Sequence, residues 1–237
     1  MPKANTEWKV LSHSPVAELD EGLWRVEGSL DNMPLKRVMT IAKRADGQLV
    51  VHNAVAIEES AMKEIEASGP IGFIVVPNSY HRLDAPAFKK RYPNAKVVCP
   101  PGARKKVEEV VPVDHTYADY PADDRVSLRT VAGTKEGEGV MTVVTPGGST
   151  LVFNDAVFNM PHLSGVQGFV LKHLTQSTGG PKLSRVVRLF VIKDKAAFRA
   201  DLEALAKTPN LKRIIVSHHE MIEGDPAATL ATIASSV

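Results

Sequence analysis

The run IGFIVV, Ile71 to Val76, contains no polar side chain. A strand with one wet face alternates apolar and polar residues, so an unbroken run of this length reads as a strand covered on both faces. Before it, Glu58 to Ser68 places Ala61, Met62 and Ile65 on one helical face, and Gly69 supplies the stop. Together these segments predict a β-α-β unit: a sheet with helices laid against it, which is an α/β architecture rather than an all-β or all-helical one.

The remaining segments extend that pattern. Arg37 to Lys43 and Leu49 to Val55 flank Asp46-Gly47 as a hairpin, because glycine accepts positive φ without steric cost. Asp84 to Tyr92 reads as a helix ending at Pro93, Lys96 to Cys99 as a strand, and Gly102 to Val111 as a further helix. A polar stretch from Asp114 to Asp124 follows, and then a second hairpin, Val140 to Thr145 with Thr150 to Asn154, turning through Gly147-Gly148. Hairpins beside β-α-β units predict mixed sheets. Residues 156 to 185 carry no period that assigns secondary structure, and their length suggests a cap or lid. Beyond them, Asp194 caps a helix with Phe198, Leu202 and Leu205 in one stripe, Leu211 to Val216 forms a strand, and Asp225-Pro226 opens a last helix that turns Leu230, Ile233 and Val237 inward.

At 237 residues and 43% hydrophobic, the chain suffices for one domain with a substantial core. A balance of 29 basic against 27 acidic residues is too even to argue for nucleic acid, and no apolar run is long enough to span a bilayer. The clusters Lys89-Lys90-Arg91 and Arg104-Lys105-Lys106 lie among apolar residues at helical spacing and read as solvated faces. A single cysteine, Cys99, excludes an intrachain disulfide. With a start that lacks a basic-then-apolar leader, it predicts a cytoplasmic protein.

Three polar residues stand just beyond three apolar strands: His81 after IGFIVV, Asp155 after TLVF and His218 after RIIVS. Strand ends of one sheet open on a common edge, so distant segments can converge there. Two imidazoles and a carboxylate with an open position suit a divalent metal, zinc first and iron second. His162, in NMPHLSG, follows the Asp155 strand and is a candidate for the same mouth. His13, His52, His115 and His173 have no evident partner. Other chemistries are disfavoured: there is no G-x-S-x-G elbow, the glycines of GTKEGEG (133 to 139) fit a turn better than a phosphate loop, and a lone thiol among valines is inert packing.

The order of these features is distinctive. A histidine loop precedes a helix ending in Arg91-Tyr92-Pro93, a strand ends in Cys99-Pro100, a glycine turn leads to LVFNDAVF, and a last strand ends in VSHHE. In that order the chain resembles the metallo-β-lactamase fold superfamily from about Leu23 to Val237. The resemblance implies a four-layer αβ/βα sandwich with a metal site on the edge where the two sheets meet. The superfamily's first motif, H-x-H-x-D-H, is matched by VPNSYH, with His81 on the last histidine, Tyr80 on the aspartate, Asn78 on the second histidine and Val76 on the first. Its second motif, G-H-T-x-G-S, is similar to GTKEGE with Thr134 on the histidine. Asp155 takes the place of the bridging aspartate, His218 that of the terminal histidine, and His219 stands where glycine is usual.

The resemblance therefore implies that one of two metal centres has lost its ligands while the other keeps His81, Asp155 and His218. Two readings follow. One is a metal-dependent hydrolase with a single remnant site acting on a small molecule, in which Tyr80 donates to a developing oxyanion and Asn78 or Thr134 orients substrate. The other is a metal-free binding or structural protein on the same scaffold, with the three residues tied in a hydrogen-bond network. The sequence leaves the substrate and the oligomeric state open.

Overall fold

Two sheets face each other across an apolar layer to which both contribute. The computed structural model describes residues 4–31 and 33–237. In chain order, the first sheet is β1 (Ala17–Asp20), β2 (Leu23–Leu30), β3 (Met33–Lys43), β4 (Leu49–His52), β5 (Ile71–Val75), β6 (Lys96–Cys99) and β7 (His115–Thr116). Strands β1 to β4 pair antiparallel, and β4 to β7 parallel. The second sheet runs β13 (Leu211–Ile215), β10 (Gly148–Phe153), β9 (Gly139–Thr145) and β8 (Val126–Thr130), parallel between β13 and β10 and antiparallel elsewhere.

Burial explains the residue patterns. Val38, Val50, Phe73, Val75 and Val98 of the first sheet meet Leu128, Met141, Val143, Val152 and Ile215 of the second. The opposite face of the first sheet carries α1 (Glu59–Glu66), α2 (Ala85–Arg91) and α3 (Arg104–Val107) through Met62, Ile65, Phe88 and Val107. That of the second carries α5 (Lys195–Leu205) and α6 (Pro226–Ser235) through Phe198, Leu202, Leu230 and Ile233. Helix, sheet, sheet, helix is the four-layer αβ/βα sandwich. Strands β5 and β10 are covered on both sides, which is why their sequences carry no alternation.

Local signals act where they stand. Gly47, at φ +85°, turns β3 into β4, and Asp194 and Asp225 accept hydrogen bonds from the backbone of Ala197 and Ala228 as N-caps of α5 and α6. The helix expected over Gly102 to Val111 is shorter: a 3₁₀ turn over Pro101–Ala103 followed by α3. The polar stretch 114 to 124 is not all loop, since His115-Thr116 adds an edge strand. Residues 156 to 185, without assignment from sequence, form β11 (Phe158–Met160), α4 (Gly165–His173) and β12 (Gly180–Lys182), with β11 and β12 antiparallel. Among the described residues no helix is long and apolar enough to cross a membrane.

Candidate metal centre

His81 lies six residues past β5, Asp155 two past β10 and His218 three past β13. The strand ends therefore belong to two sheets, not one as the sequence suggested, and the residues meet on the edge that the sheets share. Asn78 sets the first turn. Its Oδ1 accepts from the backbone N–H of Tyr80 (2.7 Å) and of His81 (3.0 Å), an Asx turn that folds the loop back over the strand end.

His81 Nε2 lies 3.2 Å and His218 Nε2 3.3 Å from the same oxygen, Asp155 Oδ1. One ligand atom from each residue lies within 4.8 Å of the others, and no other group of three or more such residues occurs among the described residues. The far nitrogens are tied back. His218 Nδ1 donates to the carbonyl of Lys36 (2.7 Å), and His81 Nδ1 meets Asn53 Oδ1 (3.0 Å). Asn53 Nδ2 donates to the Val38 carbonyl (2.8 Å), which leaves its Oδ1 as the face turned to His81. Both Nδ1 atoms therefore carry hydrogen. In neutral imidazoles both Nε2 atoms are then bare lone pairs, aimed at a carboxylate oxygen.

Electrostatics sharpen that geometry. Burial would raise the Asp155 carboxyl, but His81 and His218 hold it well below the usual carboxylate range. Burial pushes His81 down, against the pull of Asp155, and so favours its neutral form. Two imidazole nitrogens and a carboxylate oxygen around one point can share a proton or take up a cation, and the oxygen acceptors on the other ring nitrogens orient both rings toward that point. The residues present fit a divalent metal.

A fourth polar residue was not foreseen. Glu138 is buried beside Asp155: its Oε2 accepts from Asp155 N (3.1 Å), and Asn78 Nδ2 donates both to its Oε1 and to Asp155 Oδ2, each at 2.8 Å. Burial first, and the Asp155 charge second, push its carboxyl up to about 8. The signal was in the second hairpin. Val140 pairs with Phe153, and continuing that antiparallel register by two residues sets Glu138 opposite Asp155.

Other expected residues sit differently. Asn78 is at the site, but its hydrogen bonds are spent on the loop and on the two carboxylates, so it braces Asp155 rather than presenting a free amide to substrate. Thr134 does not reach the centre: its hydroxyl donates to the Val131 carbonyl at 2.8 Å. His162 does not enter the mouth either. It bonds Thr178 Oγ1 (2.9 Å) and lines a separate cavity of about 470 Å³ with Lys172, Lys182 and Arg188. His219 is buried with φ +60°, and its Nε2 accepts from the backbone N–H of Lys36 (3.2 Å), which removes it from the ligand set. Tyr80, largely exposed, lines a cavity of about 510 Å³ that opens beside Asp155 and Glu138. Phe158 lines it too, and its ring lies parallel to that of His218 with centroids 6.0 Å apart.

Among solved structures similar to this chain are three metallo-β-lactamases. The enzyme of Erythrobacter litoralis, with β-mercaptoethanol in its active site, is 14% identical with a TM-score of 0.59 over 94% of this chain and 96% of that one. The mono-zinc form of FIM-1 from Pseudomonas aeruginosa gives 12% and 0.58 over 98% of each chain, and DIM-1 exposed to ceftazidime gives 9% and 0.60 over 96% and 99%. The chain has the metallo-β-lactamase fold. No protein-family model matches the sequence, and comparison with curated proteins finds no match.

Proposed function

We propose that this protein is a metal-dependent hydrolase with one metal, zinc before iron, held by His81, Asp155 and His218. The observation that carries the reading is that His81 Nε2 and His218 Nε2 both approach Asp155 Oδ1, at 3.2 and 3.3 Å, with each ring oriented by an oxygen acceptor on its other nitrogen. FIM-1, a structure of the same fold, is described in a mono-zinc form. A divalent cation at this point would polarise a carbonyl or phosphoryl oxygen and acidify a neighbouring water. The chain supplies the rest. Glu138, buried beside Asp155 in the cavity lining, would hold a proton and deliver it at the cavity wall, and the phenol of Tyr80, which lines the same cavity, would donate to a developing oxyanion.

The test is the metal content of untagged protein beside His81→Ala and Asp155→Asn. About one zinc or iron per chain, lost in both variants, supports the proposal. No metal after incubation with zinc and with ferrous iron would leave the second reading, a metal-free protein whose imidazoles and carboxylate share protons. With metal bound, a screen of esters, thioesters and phosphoesters identifies the bond that is cut.

A further inference from the structure

The cavity beside Asp155 has two characters. Asn78, Glu138 and Asp155, joined to one another by hydrogen bonds, form a polar cluster in its lining. Phe158, Leu171, Val186, Val187, Phe190 and Val191 make up its apolar wall. Phe158 links the two, because the ring that lines the cavity also lies against His218. At about 510 Å³ the space matches the range of small-molecule sites, and although Ser79, Lys135, Thr175, Ser177 and Ser184 also line it, its six apolar side chains favour an apolar ligand group.

The apolar surface continues outward. Val186 and Phe190 line the cavity yet are 44% and 66% exposed. Among the described residues, all the exposed large apolar side chains except Met33, Tyr80 and Val144 lie within residues 165–174, which are α4 and its C-cap, or within residues 186–190, and Tyr80 itself lines the cavity. An exposed apolar patch of this kind marks a ligand groove or an interface. Here patch and cavity wall share residues, which makes the patch the lip of the cavity.

We propose that this cavity holds the apolar acyl chain of a medium-chain ester or thioester, with the acyl carbon at the Asp155 end. As a statement about substrate it rests on the hydrolase reading; as a statement about the ligand it does not. Calorimetric titration with sodium decanoate and sodium butyrate, on zinc-loaded and on chelator-treated protein, tests it. Decanoate is expected to bind one to one, about tenfold or more tighter than butyrate, with a negative heat-capacity change. Val191→Trp, which fills the wall, should weaken decanoate about tenfold while leaving zinc content unchanged. Phe190→Ser, at an exposed position that imposes no folding burden, should weaken it measurably as well.

Equal affinity for the two acids overturns the proposal, as does decanoate binding that neither variant alters. A dimer in sedimentation velocity that buries α4 and binds no decanoate overturns it too and makes the patch an interface. The zinc content of the same samples reads the hydrolase proposal separately. Decanoate selectivity without zinc supports the cavity assignment and removes only hydrolysis, whereas zinc binding without selectivity does the reverse.

Discussion

Asn53 turns its amide oxygen to His81 Nδ1 over 3.0 Å because its amide nitrogen is committed to the Val38 carbonyl at 2.8 Å. A bond between β3 and the residue after β4 thus decides which nitrogen of a histidine in another loop carries the proton. Asn53 also sits at φ +57°, a conformation asparagine tolerates better than most residues.

Asn53→Ala removes that acceptor and frees the ring. Zinc affinity should fall about 10–100-fold in competition with a chelating dye, the range for losing a group that hydrogen-bonds a metal-binding imidazole. Asn53→Asp keeps an acceptor on His81 and the tolerance for positive φ, and should restore most of the loss. Unchanged affinity in the alanine variant would show that the imidazole is held by other means.

Arg37 Nη2 and Asp84 Oδ2 form an ion pair at 2.6 Å, with side chains 7% and 1% exposed, between β3 and the start of α2. Asp84 also accepts from Asn5 Nδ2 at 2.6 Å, and Arg37 donates to the Ala54 carbonyl at 3.3 Å. Asp84→Ala leaves a guanidinium buried without its counter-charge and should cost about 3–5 kcal/mol in urea unfolding. Replacing the pair with Arg37→Met and Asp84→Leu should cost less than the single change, because no charge is then stranded. A single variant within about 1 kcal/mol of the parent would mean that water reaches the pair.

What could be read from the sequence, and what could not, divides along the same physical lines. Elements that bury their side chains leave a pattern behind: β5 as an unbroken apolar run, the end of β10 as Leu151-Val152-Phe153, α5 as the Phe198, Leu202, Leu205 stripe. Helix α4 was illegible because Val166, Phe169 and Val170 are exposed, so no core imposes a stripe on its sequence. His81, Asp155 and His218 could be singled out because strand ends are conspicuous. Glu138 was hidden in a glycine turn, and only the register of β9 against β10 connects it with Asp155. Thr134 and His162 illustrate the converse: a position in a motif or just after a strand does not say where a side chain's hydrogen bond goes.

Glu138 binds its proton up to about pH 8 in the folded chain against 4.5 ordinarily. Across that window the folded state holds the extra proton, so its contribution is complete below 4.5 and is lost as pH rises through 8. Metal-free protein should therefore show a falling Tm from pH 6.5 to 8.5, and Glu138→Gln should flatten the fall. An equal slope in parent and variant would place the titration elsewhere.

His52 supplies the opposite limb. It is buried at the end of β4, and among the described residues neither its Nδ1 nor the hydroxyl of Thr40, its cross-strand neighbour on β3, has a hydrogen-bond partner. Burial, with His81 nearby, pushes the imidazole down to about 3 from 6.5. The folded state then binds fewer protons than the unfolded chain between those values, so stability present above 6.5 is lost as pH falls through that window. His52→Leu, close in volume, leaves no partner stranded and should change stability at pH 7 by no more than about 1 kcal/mol. At pH 5 the variant should be the more stable of the two, with a shallower acid limb in thermal unfolding. The limb would not vanish, because His81 is also held neutral by burial. A loss of about 2 kcal/mol or more at pH 7 would mean that His52 holds an interaction equivalent to a buried hydrogen bond, and would make it part of the metal centre's support.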